Sequence, residues 1–235
     1  MKYMGSKNRI AKYIIPIMLA ERKVGQWWVE PFVGGGNIID KIEGKRLGAD
    51  LNHFVIDALG SIRDYIDELP KNNKEFTEED YNRMRSTIWY KDVYTHRGYL
   101  GFTCSFGRIW GGVWARNRKG NRDFMAEAYR NALKQSPRLQ GVKLVNTGYR
   151  DLGLPPNSLI YCDPPYQGCS QYLDKFDSES FFQWCRDKVR EGHTVFVSEY
   201  DAPKDFECIY QREIISSVGQ ADKRKKVVEK LFRVR

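Results

Sequence analysis

The order of apolar and polar residues up to residue 69 predicts alternating helices and strands. Apolar residues recur at helical spacing near the start of the chain, at Ile10, Tyr13, Ile14, Ile17 and Met18. Pro16 predicts a kink or an end in this helix. Short apolar runs predict strands at 27–29 and 46–50, followed by helical stretches from about Asn37 and over 53–69. This alternation is typical of a doubly wound α/β sheet.

The pattern changes between residues 70 and 141, where no run is typical of a parallel strand. Thr77 and Asp80 resemble a helix N-cap pair and predict a helix that continues to about Tyr94. A second helix is predicted over 123–134, after a stretch rich in glycine, arginine and tryptophan. We interpret 70–141 as an inserted, mainly helical lobe.

The α/β alternation resumes after residue 141. Apolar runs predict strands at 142–145, 159–162, 194–197, 208–215 and 227–232, and helical spacing predicts a helix at 178–190. The predicted fold is therefore a doubly wound α/β domain formed by 1–69 and 142–235, with the lobe inserted between its halves.

Charge and composition narrow the possible partners. The chain has 235 residues and a net charge of +9, which favours a polyanionic partner such as nucleic acid over a role in solubility alone. No apolar stretch is long enough to span a bilayer, and no signal region follows the first residues. Five cysteines without a Cys-x-x-Cys pair favour reduced thiols and a cytoplasmic location. Three scattered histidines predict no metal site.

Asp163-Pro164-Pro165-Tyr166 follows the predicted strand at 159–162 and suits the methylation of an exocyclic amine. Such an amine is a poor nucleophile because its lone pair is delocalised into the base ring. Asp163 supplies a carboxylate and Pro164 a carbonyl, and together they accept hydrogen bonds from the two N–H groups. The prolines hold the loop in shape, and Tyr166 offers a flat face for the base. A plain turn leaving a strand is the alternative.

Two further motifs lie at predicted strand ends. Phe32-Val33-Gly34-Gly35-Gly36 marks a strand-to-helix turn, where glycines let the backbone approach a ligand and leave helix N–H groups free to bind it. The spacing is not the Gly-x-Gly-x-x-Gly of a dinucleotide site, and a plain glycine-rich turn is the alternative.

Asp50 ends the next strand, 16 residues after Gly34. An α/β nucleotide site places an acid on ribose hydroxyls at this point. The alternative is a helix N-cap formed with Asn52. Because ligands in such sheets gather at the carboxyl edge of the strands, the neighbouring motifs favour the ribose role.

The stretch 108–122 interleaves cations with aromatic residues. Its candidate DNA-contacting residues are Arg108, Trp110, Arg116, Asn117, Arg118, Lys119 and Arg122. Lys119-Gly120 predicts a hairpin turn. Such a basic arm would contact phosphates and read base edges, and a tryptophan would fill the gap left by a displaced base. The alternative is a surface loop whose tryptophans pack into the lobe.

Two other stretches allow a structural and a functional interpretation. Residues 197–200 lie at a predicted strand end on the same edge as Asp163, where they would line the pocket for the base or have a structural role alone. The charge run at 223–226 is typical of a solvated turn and would add phosphate contacts at most.

Together these residues resemble the D12 class of DNA adenine N6-methyltransferases over nearly the whole chain. Four stretches match the family's motifs in the family's order, namely 3–7, 30–36, 50–52 and 163–166. The resemblance implies contacts to the methyl donor at Tyr3, Met4, Gly5, Lys7, Pro31, Phe32, Gly34, Gly36, Asp50, Leu51, Tyr149 and Asp163. It also implies catalytic roles for Asp163, Pro164 and Tyr166, and a DNA-recognition lobe between the acidic motif and the catalytic loop.

The resemblance implies an α/β fold of the Rossmann-like methyltransferase type, with a basic hairpin in its lobe. The implied cofactor is S-adenosylmethionine without a metal, and the implied substrate is an adenine flipped from double-stranded DNA. A GATC-like site is expected only from the family, because the 108–124 region does not match its residue pattern in detail. A bacterial cell or a phage-infected host would be the setting, and a cognate restriction enzyme is a further candidate partner.

Other functions remain open at this level. The methyl acceptor would be cytosine N4, an RNA adenine or a protein glutamine in a related enzyme, although an Asp at position 163 favours adenine. Cytosine enzymes resemble Ser-Pro-Pro-Tyr and glutamine enzymes Asn-Pro-Pro-Tyr at this loop. A non-catalytic DNA-binding relative is the remaining alternative, and the intact loop argues against it.

Overall fold

A mixed sheet of seven strands forms the centre of the protein. The computed structural model describes residues 1–86, 95–116, 119, 121–165, 176–215 and 226–235. The strands are β1 (Trp28–Glu30), β2 (Arg46–Asp50), β3 (Val142–Asn146), β4 (Leu159–Cys162), β5 (Thr194–Glu199), β6 (Phe206–Ile215) and β7 (Lys226–Val234). Their order across the sheet is β3-β2-β1-β4-β5-β7-β6.

Five strands of this sheet, β1 to β5, are parallel, and β7 is antiparallel to both β5 and β6. The order reverses between β1 and β4, which are neighbours through Trp28 and Leu159. In a doubly wound sheet, ligands bind outside the carboxyl ends of the strands at this switch point. The topology therefore places the turns after β1 and β4 side by side.

Helices cover both faces of the sheet. The described helices are α1 (Ala11–Ala20), α2 (His53–Asp64), α3 (Glu78–Ser86), α4 (Arg97–Thr103), α5 (Phe124–Leu139) and α6 (Ser178–Arg190). Short 3₁₀ turns occur at Lys7–Arg9, Ile39–Lys41, Ile66–Glu68 and Phe106–Arg108.

Residues that alternate along the strands contribute to two separate apolar cores, because successive side chains of a strand point to opposite faces of the sheet. Trp28, Leu159 and Phe196 enter the core that also holds α1, α2 and α5. Val29 and Val195 enter the core beneath α6. The predicted α/β fold class is thus confirmed.

The helical stretch predicted from about Asn37 is wrong in extent. The structure has only the 3₁₀ turn Ile39–Lys41 there. Gly36 has a positive φ of 66°, Ile42 is already extended, and β2 begins at Arg46, so the interval is too short for a regular helix.

Other predicted helices differ at their ends. The first helix runs through Pro16 and ends at Ala20, and the helix predicted over 53–69 ends at Asp64 before a 3₁₀ turn. The helix predicted over 123–134 extends to Leu139. The helix predicted to reach Tyr94 is described as far as Ser86.

The predicted basic arm has a compact base. Ser105 and Trp114 form an antiparallel bridge, and the Phe106 N–H donates to the Val113 carbonyl at 2.7 Å. The loop 106–113 therefore projects from this pair. Lys119 lies in an exposed turn, and Gly120 lies outside the described residues.

No helix within the described ranges is long and apolar enough to cross a membrane. The cysteines at 104, 162, 185 and 208 are free thiols.

Candidate active site

The glycine turn after β1 is held by the end of β2. Gly34 and Gly36 have positive φ angles of 47° and 66°, which favour glycine because a Cβ atom would strain the backbone. The Gly34 N–H donates to Asp50 Oδ2 at 3.0 Å, and the Gly36 N–H donates to the Val33 carbonyl at 2.9 Å. These two N–H groups therefore shape the turn and do not point to a ligand, unlike the free helix N–H groups expected from the sequence.

Asp50 connects two loops at the carboxyl edge of the sheet. Its other oxygen, Oδ1, accepts from the Asn52 N–H at 3.0 Å, and Asn52 caps α2. Burial raises the pKa of Asp50 to about 6, against the lowering effect of these two hydrogen bonds. A carboxylate offers about four acceptor sites, so Asp50 holds the turn with two of them and retains others.

The N-terminal segment packs directly on the glycine turn. A Cβ atom at Gly34 would lie 3.1 Å from a ring carbon of Tyr3, and one at Gly35 would lie 2.7 Å from the Tyr3 Cβ. The Asn37 side chain donates to the Met1 carbonyl at 2.8 Å. Only glycine allows this close approach, so the turn and the Tyr3 segment form one surface.

Gln135 of α5 anchors the same turn from the opposite side. Its side-chain nitrogen donates to the carbonyls of Gly35 at 3.0 Å and Gly36 at 3.2 Å, and to Asp40 Oδ2 at 3.1 Å. Gln135 is buried, and it comes from the region that the sequence assigns to the inserted lobe. The turn is therefore fixed by a helix about a hundred residues further along the chain.

Exposed and aromatic side chains surround the turn. Leu51, directly after Asp50, is 80% exposed, and Asn146 fixes its backbone by donating to the Leu51 carbonyl at 3.0 Å. The ring of Phe32 lies 5.4 Å from that of Tyr149 and 5.6 Å from that of Phe181. A glycine cradle flanked by an acid, an exposed leucine and aromatic rings fits a nucleoside-containing methyl donor.

The remaining predicted donor contacts lie in the same region. Pro31 is buried between β1 and Phe32, and Met4 is half-buried beside Tyr3. Gly5 has a φ of 77°, and its carbonyl accepts from Lys7 Nζ at 3.3 Å. The structure thus gathers the predicted donor residues at one edge, while their contacts to a donor stay a prediction.

Asp163 follows β4 and is bound by a buried lysine. Lys7 Nζ lies 2.8 Å from Asp163 Oδ1 and 3.7 Å from Glu229 Oε2 of β7. The Lys7 side chain is only 6% exposed. Burial lowers the pKa of Lys7, but the charges of Asp163 and Glu229 outweigh this effect, so the net shift is upward. Lys7 is therefore protonated at neutral pH.

Glu199 ends β5 beside this ion pair and is buried. Its Oε1 accepts from the Tyr200 N–H at 2.8 Å. Burial raises the pKa of Glu199 to about 7, with a further upward contribution from Asp163 and a downward one from Lys7. Burial also raises the pKa of Glu30, whose Oε1 accepts from the Trp28 indole at 2.8 Å. The edge therefore contains two acids whose pKa values are raised by burial, and that of Glu199 reaches about 7.

The loop that the sequence predicts to be catalytic is described only at its beginning. Pro164 is buried, and β4 beneath it is fixed by a 2.8 Å hydrogen bond between the hydroxyls of Tyr161 and Ser198. Tyr166 lies outside the described residues.

Two predicted arm residues pack against other parts of the protein. Trp110 stacks on Phe54 with ring centres 3.6 Å apart, and its indole N–H donates to the Arg97 carbonyl at 3.1 Å. The guanidinium of Arg108 donates to the Thr103 carbonyl and lies over the Phe124 ring. The packing of Trp110 fits the alternative raised for the tryptophans of this stretch, although its stacking partner Phe54 belongs to α2, outside 70–141. The DNA contacts of both residues stay a prediction.

The other arm residues are on the surface. Arg116 pairs with Glu78 and Arg122 with Glu127, and Lys119 is exposed. Asn117 and Arg118 lie outside the described residues.

Sequence reasoning missed Gln135 and Glu229, and for 197–200 it predicted either a pocket wall or a structural role, without a contact to Lys7. Both missed residues could have been found from the sequence, because each is a polar side chain at a position where the pattern of its helix or strand predicts a buried apolar one. Gln135 lies on the buried face of α5, and Glu229 is buried in β7. Buried polar groups of this kind require partners, but the pattern does not name them.

The fold is an α/β sheet with a glycine turn after β1 and the Asp163 carboxylate after β4, side by side at the switch point. The family model for D12 class N6 adenine-specific DNA methyltransferases matches residues 3–228. The chain therefore belongs to this family of S-adenosylmethionine-dependent methyltransferases, which methylate adenine in DNA.

Solved structures give distant similarities. One is SMU.472, described as a methyltransferase in complex with SAH, at 12% identity and a TM-score of 0.39, covering 97% of this chain. The chain spans about half of that protein, 52% of its length. Another is a tRNA methyltransferase from Aquifex aeolicus, at 9% identity and a TM-score of 0.41, with 98% of this chain and 71% of the other covered.

A third is the methylase HI0767 from Haemophilus influenzae, at 10% identity and a TM-score of 0.38, with 99% and 92% covered. A search of curated proteins gives no match.

Proposed function

We propose that this protein methylates N6 of an adenine flipped out of duplex DNA, with Asp163 as the acceptor of the amine hydrogens. The observation that carries the proposal is the 2.8 Å ion pair between Lys7 and Asp163 at the switch point. The pair holds a half-buried carboxylate in a defined orientation at the strand edge that also carries the glycine turn and Asp50. A plain turn after β4 would need no such partner.

The donor half of the site consists of Tyr3, the glycine turn, Asp50 and Leu51. S-adenosylmethionine, when bound, supplies an electrophilic methyl group on a sulfonium sulfur. Asp50 accepts from the ribose hydroxyls, and the exposed Leu51 side chain packs on the adenine ring of the donor. Phe32 and Tyr149 close the apolar side of the cradle.

The acceptor half consists of Asp163, Pro164 and Tyr166. Lys7 fixes the Asp163 carboxylate through Oδ1, and the carboxylate and the Pro164 carbonyl accept from the two amine hydrogens. This raises electron density on nitrogen and aligns it for transfer, so catalysis is positioning and electrostatics. Tyr166 stacks on the base.

The loop at 106–113 supports the flipping of the base. Its apolar side chains are exposed to an unusual degree, with Phe106 and Val113 at 66% and Ile109 at 46%. Proteins that unstack DNA insert such apolar side chains between base steps. Arg116 and Lys119 nearby would contact phosphates. The division into a catalytic domain and a 70–141 recognition lobe is part of this proposal, with α5 serving both.

The base and its sequence context are tested together. The protein is expressed in cells that lack DNA methylation, and their DNA is read by modification-sensitive sequencing and digested to nucleosides. We expect N6-methyladenine in one short context, and a GATC-type site is the first to examine because of the family. Asp163→Ala is the matched control and should give none.

Other outcomes would overturn the proposal in defined ways. N4-methylcytosine would reassign the substrate, and methyl transfer only to RNA or protein would remove the DNA proposal. Near-normal methylation by Asp163→Ala would refute the assigned mechanism. No donor binding in calorimetry would revive a non-catalytic DNA-binding role. A partner restriction enzyme is a separate prediction, tested by whether the modified context blocks cleavage by a co-expressed nuclease.

A further inference from the structure

A cation–aromatic cluster lies on the outer surface of α1 and β6. Two cations lie over the Tyr13 ring. The guanidinium carbon of Arg212 is 4.2 Å from the ring centre, and Lys12 Nζ is 4.8 Å from it. It stacks on Tyr210 with ring centres 6.2 Å apart and an interplanar angle of 17°. Lys12 and Arg212 are both exposed. We call Lys12, Tyr13, Tyr210 and Arg212 the α1–β6 ledge.

The ledge is contiguous with the catalytic edge. Arg212 is paired in register with Glu229 across β6 and β7, so their side chains lie on the same face of the sheet. Glu229 lies 3.7 Å from Lys7, which binds Asp163. The exposed Arg212 on β6 is therefore a direct neighbour of Glu229 on β7, which belongs to the acidic cluster around Lys7.

The ledge cations differ from the arginines of the predicted arm. Arg116 and Arg122 already pair with carboxylates. Within the part of the chain that the structure describes, neither Lys12 nor Arg212 has an acidic partner within 4.0 Å. Aromatic packing holds Arg212 in place, which lowers the entropy lost when it binds an anion.

We propose that the α1–β6 ledge binds the phosphate backbone of the DNA next to the target nucleotide. The inference rests on the proposed function and adds a second DNA-contacting surface outside residues 70–141. Lys12 and Arg212 each neutralise a phosphate, while Tyr13 keeps the guanidinium in position. A strand anchored here would run past the catalytic edge, where the displaced base must enter.

The experiment measures DNA affinity of the full chain against salt concentration, for wild type and for Lys12→Ala/Arg212→Ala. Each lost phosphate contact reduces the slope of log K against log salt by about 0.9, so the double variant should lose about 1.8. Donor affinity and melting temperature should stay at wild-type values. Arg212→Lys should restore about half of the lost slope in the Lys12→Ala background.

The matched control is Arg190→Ala/Lys204→Ala. It removes two exposed cations, Arg190 at the end of α6 and Lys204 after β5. Helix α6 covers the other face of the sheet, so this variant should leave the slope unchanged. An unchanged slope in the ledge variant, or an equal loss in the control, would overturn the ledge inference alone. If the wild-type protein binds no DNA at all, the proposed function fails, and the ledge inference fails with it.

Discussion

Lys7 Nζ lies 2.8 Å from Oδ1 of Asp163, joining a 3₁₀ turn near the start of the chain to the loop after β4. Glu229 and Glu199 add their charges to the same lysine. One buried cation thus interacts with three carboxylates, from the loop after β4 and from strands β5 and β7. Lys7 therefore holds Oδ1 of Asp163 in place and offsets part of the negative charge around it.

Lys7→Met should sharply reduce methyl transfer and stability. The remaining carboxylates lose their cation, and breaking a buried pair in this way costs roughly 3–5 kcal/mol. A displaced Asp163 carboxylate would cost roughly 10²-fold in rate. Single-turnover methylation and thermal unfolding measure the two effects.

Lys7→Arg is the control for charge alone, and it should recover much of the stability. The loss of stability in Lys7→Met should be larger at pH 8 than at pH 5.5, since protonated acids no longer repel each other. Equal losses at the two pH values would contradict the assigned electrostatics.

Glu199→Gln should change how stability depends on pH. Because the pKa of Glu199 is raised to about 7 from 4.5, the folded state binds more protons than the unfolded state between these values. Stability therefore falls as pH rises through this window, by up to roughly 3 kcal/mol from this group. The glutamine removes the charge and keeps an acceptor for the Tyr200 N–H.

The measurement is the melting temperature from pH 4.5 to 8.5. We expect the variant to be more stable than wild type above pH 7 and its profile to be flatter. Glu207→Gln, on an exposed residue of β6, is the control and should leave the profile alone. A wild-type profile without a decline would refute the raised pKa.

Gln135→Leu should weaken binding of the methyl donor. The glycine turn loses the hydrogen bonds that fix the Gly35 and Gly36 carbonyls, and buried unpaired acceptors cost about 1–3 kcal/mol each. Part of this cost is recovered when the turn rearranges, so donor affinity falls roughly tenfold. Calorimetry of donor binding measures it, with the exposed Gln183→Leu as control. Unchanged affinity in a folded Gln135→Leu protein would show that the turn does not need this anchor.

Trp110→Ala should mainly reduce stability, whereas Phe106→Ala should mainly reduce productive DNA binding. Trp110 packs on Phe54 and against Gly101, so its loss should cost roughly 3 kcal/mol of stability. Phe106 is 66% exposed, so its loss should leave stability within about 0.5 kcal/mol and weaken productive DNA binding. Melting curves and methylation of duplex against mismatched DNA separate them. The reverse outcome would assign Trp110 to the DNA.

The strands illustrate how far local pattern reaches. Every predicted strand is present, because a buried strand reads as a short apolar run bounded by turn residues. The stretch after Asn37 misled the prediction, since its apolar residues pack as a single 3₁₀ turn between two tightly constrained loops. Helix α4 was missed because its buried glycines pack against α2 and Trp110, a tertiary reason that no helix periodicity reveals.

Candidate site residues also divide into those that a local sequence pattern predicts and those that depend on tertiary contacts. The motifs at 30–36, 50–52 and 163–166 are contiguous, and their position at strand ends is enough to predict a common edge. Gln135 and Glu229 are single polar residues in apolar elements, and their partners are distant in sequence. Trp110 resembles a DNA-contacting residue in sequence, but the structure shows what its ring packs against.

By itself, the sequence determined the α/β class, the family and the chemistry expected of Asp163, because each is encoded in short contiguous patterns. Only the tertiary structure decided which groups surround that carboxylate. Lys7, Glu199 and Glu229 meet it because the strand order brings β4, β5 and β7 next to one another. Their burial then sets the charges, since desolvation and Coulomb interactions depend on distances between segments that are far apart in the chain.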